Sequence, residues 1–210
     1  MSIVNTLCLL RENCNLESVE ERRKFHRLLR PLMTHWSHFN HNDTFIKKEI
    51  QFLLMQASKF GCNDVVQKFL DRGLDPNVVA PQTGDSPLHL ALANDQGFAA
   101  KLLLQRGANL NFVDATGSTP LHVICARPDD QWHRAEMLFE LSDEKYRPLE
   151  IDAQDKLGKT PLLVAVVSKN LKVAKLLLKK GVDPKLADIN GVDPRDIISL
   201  NEDLARMLSD

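Results

Sequence analysis

One four-residue box recurs along the chain at a nearly fixed interval, and this repetition constrains the fold more than any other feature of the sequence. The box reads Ser86-Pro87-Leu88-His89, then Thr119-Pro120-Leu121-His122, then Thr160-Pro161-Leu162-Leu163. The interval is 33 residues from Pro87 to Pro120, 41 from Pro120 to Pro161 and 33 again from Pro161 to Pro194. A period of this length predicts a solenoid, in which similar units stack and bury one continuous core.

Each unit carries the signals of two short helices. In the clearest copy, Ser86 is a favoured N-cap residue, and Pro87 stands at the first helical position, where its missing N–H costs nothing. A turn is predicted near residues 95–97, followed by a second helix rich in alanine and leucine. That helix is predicted to stop at Gly107, because glycine is favoured just past a helix C-terminus.

This unit resembles the ankyrin repeat, whose pattern runs Gly-x-Thr-Pro-Leu-His-Leu-Ala, two leucine-rich helical turns, and Gly-Ala-Asp-x-Asn. Here the two segments read Gly84-Asp85-Ser86-Pro87-Leu88-His89-Leu90-Ala91 and Gly107-Ala108-Asn109-Leu110-Asn111. The resemblance implies an all-α solenoid, a stack of helix-turn-helix units with short hairpin turns, to which this chain adds N-terminal helices. It also implies that His89 and His122 are structural, hydrogen-bonded to the Ser or Thr of their own box and to neighbouring backbone.

The copies of the unit differ in quality. Residues 45–80 form a degenerate first repeat without the box, 81–113 the best copy, 114–154 a copy with an insertion, 155–187 a regular copy, and 188–210 a short polar capping repeat. A polar terminal copy closes the core of a solenoid against water. In the third repeat, Pro128 and the two aspartates after it lengthen the turn between the helices, and residues 142–148 hold most of the insertion.

Residues 1–44 carry no ankyrin pattern, although their apolar residues fall at helical spacing. Asn42-Asp43-Thr44 predicts a helix start, and the helix after it should be longer than the other inner helices. We interpret residues 1–44 as an N-terminal helical cap; the alternative is a separate partner-binding segment. Within them, Arg22, Arg23, Lys24, Arg27 and Arg30 form a basic run that is either a solvated face or a contact for an acidic partner.

Charge, hydropathy and cysteine content limit the partners. The net charge is −1, so no overall field draws the chain to nucleic acid or acidic lipid. No apolar run approaches the roughly 18 residues that span a bilayer, and we identify no signal peptide. The four scattered cysteines predict free thiols in a reducing compartment. We therefore expect a protein of the cytoplasm or nucleus, or both, that binds neither nucleic acid nor membranes and is a monomer on its own.

No pattern in the sequence favours catalysis. We therefore predict that the protein is not an enzyme and that it has no cofactor or metal site. Gly158-Lys159-Thr160 resembles the end of a phosphate-binding loop, but Ala153 stands where that motif requires its first glycine. His35, His38 and His41 could share a metal on a helix, yet no carboxylate or thiolate completes a recognised zinc pattern. A polar turn is the favoured interpretation of these histidines.

The resemblance places partner binding at the variable positions between the motif residues, which face a concave groove. The predicted partner-binding residues at these positions are Thr83, Asp85, Asn94, Thr116, Ser118, Arg127, Leu157, Lys159 and Asn190. Trp132 and Tyr146 are added because they lie in or beside the expanded loops of the third repeat, and aromatic residues dominate binding hot spots. The alternative for both aromatics is that they cover the core of their own loop.

Taken together, these features predict a stand-alone ankyrin-repeat adaptor or regulatory subunit that binds one protein through its groove. Small members of the family inhibit cyclin-dependent kinases or transcription factors, so a kinase complex or a transcription factor is a partner class by analogy. The alternative is a substrate receptor or effector adaptor that uses residues 1–44 as a second docking element.

Overall fold

The computed structural model describes residues 3–12, 18–34, 43–128, 132–144, 148–199 and 205–206. The described residues contain helices and turns but no strand, in agreement with the predicted all-α solenoid. The chain divides into two compact units. The first comprises Met1–Ala80 with Ser86–Gly107, and the second comprises Pro81–Asp85 with Ala108–Asp210.

The first unit contains the N-terminal helices and the first two helix pairs. Its helices are α1 (Ile3–Glu12), α2 (Val19–Thr34), α3 (Thr44–Lys59), α4 (Asn63–Asp71), α5 (Pro87–Ala93) and α6 (Gly97–Gln105). α1 packs against both α2 and α3; α3 packs against α4 and α5, and α6 packs against α4 and α5. Phe25, Leu53 and Phe69 are among its fully buried side chains.

The helix α3 begins where the sequence predicts. The side chain of Asp43 accepts hydrogen bonds from the backbone N–H groups of Phe45 at 2.8 Å and Ile46 at 3.2 Å, which satisfies two donors that lack a partner within the helix. α3 has 16 residues, whereas α5 has seven, so the prediction of a longer first inner helix is confirmed.

The second unit contains the remaining helix pairs and the capping helix. Its helices are α7 (Pro120–Cys125), α8 (Trp132–Glu144), α9 (Pro161–Val167), α10 (Leu171–Lys179) and α11 (Pro194–Ser199). α7 packs against α8 and α9, α10 packs against α8 and α9, and α11 packs against α9. Leu121, Leu138 and Leu177 are buried where these helices meet.

The recurring box starts α5, α7 and α9. Ser86, Thr119 and Thr160 are extended N-cap residues whose hydroxyls accept the N–H three residues later. In the first two boxes a histidine completes a reciprocal capping box: the ring Nδ1 of His89 accepts from the Ser86 N–H, and that of His122 accepts from the Thr119 N–H. The predicted structural role of both histidines is confirmed.

The insertion of the third repeat lies partly in a helix rather than in a loop. α8 has 13 residues, whereas α6 and α10 have nine, so residues 142–144 are helical. After the insertion the chain is again hydrogen-bonded to the preceding repeat. The Asn111 side chain donates to the Pro148 carbonyl at 2.9 Å and accepts from the Glu150 N–H at 2.9 Å. The next repeat is linked in the same way, since Asp152 accepts from the Asp183 N–H.

Candidate functional site

Four consecutive turns of the second unit form a continuous surface, which we call the hairpin row: residues 81–85, 114–118, 155–159 and 188–192. Backbone hydrogen bonds join each turn to the next. The N–H of Ala115 donates to the Thr83 carbonyl at 2.9 Å, Lys156 donates to Thr116 at 2.9 Å, and Ile189 donates to Leu157 at 3.0 Å. Because the links are made by the backbone, they need no particular side chain as donor or acceptor.

An aspartate fixes the conformation of each of the last three hairpins. One side-chain oxygen of Asp114, Asp155 or Asp188 accepts from the backbone N–H groups two and four residues later, at 2.7 to 3.1 Å. The hydrogen bond from the Val192 N–H is the main cause that holds the pKa of the Asp188 carboxyl below its ordinary value. These carboxylates are therefore structural anchors of the row.

Glycine allows adjacent hairpins to approach closely. Gly117 and Gly158 have φ values of 82° and 74°, which L-residues with a side chain rarely adopt. A Cβ atom at Gly117 would lie 2.9 Å from the Lys156 nitrogen, and one at Gly158 would lie 3.0 Å from the Ile189 nitrogen. The turns are thus held at a separation that leaves no room for a side chain at these positions.

On this rigid backbone the row presents two large aliphatic side chains to solvent. Leu157 is 49% exposed and Ile189 is 68% exposed, and their backbones are joined by the last of the inter-hairpin hydrogen bonds. The same two hairpins carry the exposed side chains of Lys156 and Asn190. Thr83 and Thr116 are exposed at the first two tips. The row thus changes from polar at its first tips to aliphatic and cationic at its last.

Several predicted residues also lie on the row but serve its internal structure. The Thr116 hydroxyl donates to Asp114 at 2.6 Å and lies 2.9 Å from the Ser118 hydroxyl. The Asp85 N–H lies 3.4 Å from the Thr83 hydroxyl. Lys159 is half-buried, and its charge is a further, smaller cause of the lowered pKa of Asp188. A partner role for these residues stays a prediction.

The other predicted residues lie away from the hairpin tips. Asn94, in the first unit, caps α5 by donating its side-chain amide to the Leu90 carbonyl at 2.9 Å. Arg127 is half-buried just after α7. Trp132 is 37% exposed and is the first residue of α8, with its ring edge-on to His133. Tyr146 lies outside the described residues.

Sequence reasoning did not select Ile189. The residue stands at the second position of its hairpin, aligned with Ala115 and Lys156, and a β-branched aliphatic residue at a turn tip is the signal that could have identified it. Its 68% exposure depends on how the hairpin sits against its neighbour, which the sequence alone does not reveal.

The features weighed for other chemistry fall in structural positions or outside the described residues. Gly158 is part of a hairpin and the Thr160 hydroxyl caps α9, so the Gly-Lys-Thr triplet forms no phosphate-binding loop. His35, His38 and His41 lie outside the described residues. Among the residues that are described, no cluster of His, Cys, Asp and Glu is arranged to hold a metal ion, and no helix combines the length and apolarity needed to cross a membrane.

Paired helices joined by backbone-linked hairpins define this chain as a helical repeat protein. It belongs to the ankyrin-repeat family. A family model described as "Ankyrin repeats (3 copies)" matches residues 54–133, and one described as "Ankyrin repeat" matches residues 157–189, which together are more than half of the chain. Ankyrin repeats generally mediate protein–protein interaction, and the family is typically non-enzymatic.

Similar proteins match part of this chain. Neurogenic locus notch homolog protein 4 of Homo sapiens is 35% identical over 117 residues, which are 56% of this chain and 6% of that protein. SH3 and multiple ankyrin repeat domains protein 1 of Mus musculus is 31% identical over 154 residues, 72% of this chain and 6% of that protein. Phosphocholine transferase AnkX of Legionella pneumophila is 31% identical over 126 residues, 60% of this chain and 13% of that protein. The chain thus spans a small fraction of each relative.

Proposed function

We propose that this protein is an adaptor or regulatory subunit that binds a protein partner through the hairpin row of its second unit. The observation that carries the proposal is the exposed pair Leu157 and Ile189 on backbone that is hydrogen-bonded from hairpin to hairpin. Because the backbone of the row is preorganised, binding orders little main chain, and burying the two aliphatic side chains contributes to affinity.

The finer features of this proposal rest on analogy and on the cysteines. A kinase complex or a transcription factor is the partner class that small members of the family suggest. Cys62 and Cys125 are buried free thiols, which fits a protein of the cytoplasm or the nucleus. The protein would be a monomer until it meets its partner. A receptor with a second docking element in residues 1–44 is the alternative, and the charged face of α2 described below favours that element.

The test compares the proteins that co-purify with the intact chain, with one double variant and with one single variant that serves as the control. Leu157→Ser with Ile189→Ser should weaken partner binding by about 1–3 kcal/mol and leave the helical circular dichroism unchanged, because both side chains are exposed. Phe98→Ser is the matched control, since Phe98 is 62% exposed in the first unit. If the double variant retains every partner of the wild-type chain at equal yield, the hairpin row is not the binding surface.

A further inference from the structure

Helix α2 has one face buried in the first unit and one charged face exposed to solvent. Phe25, Leu29 and Leu32 are at most 2% exposed. On the other side, the side chains of Arg23, Arg27 and Arg30 are exposed. These arginines are spaced i, i+4 and i+7, which places them on one side of the helix along about 11 Å of its length. Their three guanidinium groups therefore form one stripe on the helix surface. We call this stripe the arginine face.

One of the two acidic residues of α2, Glu21, is engaged at the start of the helix. Glu21 forms a reciprocal cap with Ser18: its carboxylate accepts from the Ser18 N–H at 3.0 Å, and its N–H donates to the Ser18 hydroxyl at 3.1 Å. The hydrogen bond from the Ser18 backbone lowers the pKa of Glu21, so this carboxylate stays ionised at the helix start. Within the described parts of the chain, none of the three arginines forms an ion pair.

An open depression of about 570 Å³ lies between side chains of α2 on this face. It is lined by Glu20, Arg23, Lys24 and Arg27, so cations outnumber the single carboxylate. Guanidinium groups bind carboxylates through two parallel N–H···O bonds, a geometry that lysine does not offer. The arginine face therefore presents the chemistry that recognises carboxylates spaced along a peptide.

We propose that the arginine face binds an acidic segment of a protein partner. A protein segment fits better than nucleic acid, because the chain has a net charge of −1 and Glu20 would face a continuous row of phosphates. The face lies outside residues 54–133 and 157–189, the segments that match the ankyrin models. It belongs to the first compact unit, whereas the hairpin row belongs to the second.

The probe is a fluorescein-labelled twelve-residue peptide of alternating glutamate and serine, whose binding to the full chain is followed by fluorescence anisotropy. Binding should weaken as salt is raised. Arg23→Gln, Arg27→Gln and Arg30→Gln together should weaken it roughly tenfold or more, because each arginine contributes a charge-assisted contact. The three substitutions to lysine keep the charge but lose the fork, so that variant should bind with intermediate affinity.

Helix α10 offers a matched control. Lys172, Lys175 and Lys179 have nearly the same helical spacing, and changing all three to glutamine removes the same charge from the chain. This control should change the affinity for the peptide by less than about twofold. Leu157→Ser with Ile189→Ser should not change it, so a failure of the hairpin row and a failure of the arginine face can be told apart.

Any of four results would overturn the proposal. The wild-type chain could fail to bind the peptide at low salt, or the α2 and α10 variants could lose affinity equally, which would show binding by overall charge alone. A single-stranded oligonucleotide of the same length could bind more tightly than the peptide, which would assign the face to nucleic acid. If the glutamine variant loses helical circular dichroism, its loss of affinity cannot be interpreted, and the lysine variant is used instead. A lysine variant that binds the peptide as tightly as the wild-type chain would overturn recognition by arginine.

Discussion

At the scale of a single residue, His122 joins two neighbouring repeats through its two ring nitrogens. Nδ1 accepts a hydrogen bond from the Thr119 N–H at 3.1 Å, so the ring proton lies on Nε2. Nε2 in turn lies 2.9 Å from the Lys159 carbonyl oxygen, to which it donates. The third box has Leu163 instead, and there the Thr160 hydroxyl still accepts from the Leu163 N–H. Histidine thus adds a link between repeats that the leucine of the next box does not provide.

We expect His122→Leu to lower the free energy of unfolding by about 1–3 kcal/mol, because the Lys159 carbonyl loses its buried donor while the apolar volume is kept. Urea unfolding followed by circular dichroism measures the change. His133→Leu, at an exposed position of α8, is the control and should change the stability by less than about 0.5 kcal/mol. Equal stabilities of the two variants would mean that the link through Nε2 contributes nothing.

At the scale of an element, close backbone approach joins each hairpin to the next. Gly117 and Gly191 occupy the same position in two hairpins and have similar φ values, 82° and 76°. They differ in their surroundings: a Cβ at Gly117 would meet the Lys156 backbone at 2.9 Å, whereas a Cβ at Gly191 would meet nothing within 4 Å. A comparison of alanine substitutions at Gly117 and Gly191 therefore separates the free-energy cost of backbone strain from the cost of disturbing the contact between hairpins.

Both Gly117→Ala and Gly191→Ala should be destabilising by about 1–2 kcal/mol, because alanine is strained at positive φ. Gly117→Ala should cost about 1–3 kcal/mol more, since its methyl group overlaps the next hairpin. The difference between the two urea midpoints, at equal m-values, gives the contribution of hairpin contact. If the two variants unfold at the same midpoint, the hairpins separate without cost and the rigidity that we assign to the row is wrong.

How far the sequence predicts these elements depends on whether the deciding signal is local. The caps at Asp43, Ser86 and Thr119 were predictable, because each capping side chain accepts from a backbone N–H only two or three residues later in the sequence. The extension of α8 was not: no glycine or proline ends it, and Leu141, only 8% exposed, continues its buried face. The exposure of Ile189 was also hidden, since it depends on packing between hairpins rather than on local sequence.

At the scale of the whole molecule, the cysteines that the structure describes include one deeply buried thiol in each compact unit. Cys62 lies in the first unit and is 4% exposed, and Cys125 lies in the second and is fully buried. Burial raises the pKa of the Cys62 thiol to about 11, and it raises the pKa of Cys125 further. Because the thiolate is the reactive form, both cysteines should react with thiol reagents only when their unit opens. Cys8, which is exposed on α1, should react at once.

These thiols can report whether the two units open together. In a solenoid, stability is the sum of terms within and between neighbouring repeats, so a local change should open its own region most. At pH 8 and low urea, Gly117→Ala should therefore speed the labelling of Cys125 by roughly tenfold or more and that of Cys62 much less. Mass spectrometry of peptides from each time point measures both rates in one sample. An equal acceleration at Cys62 would show that the array opens only as a whole, and binding at one unit would then stabilise the entire chain.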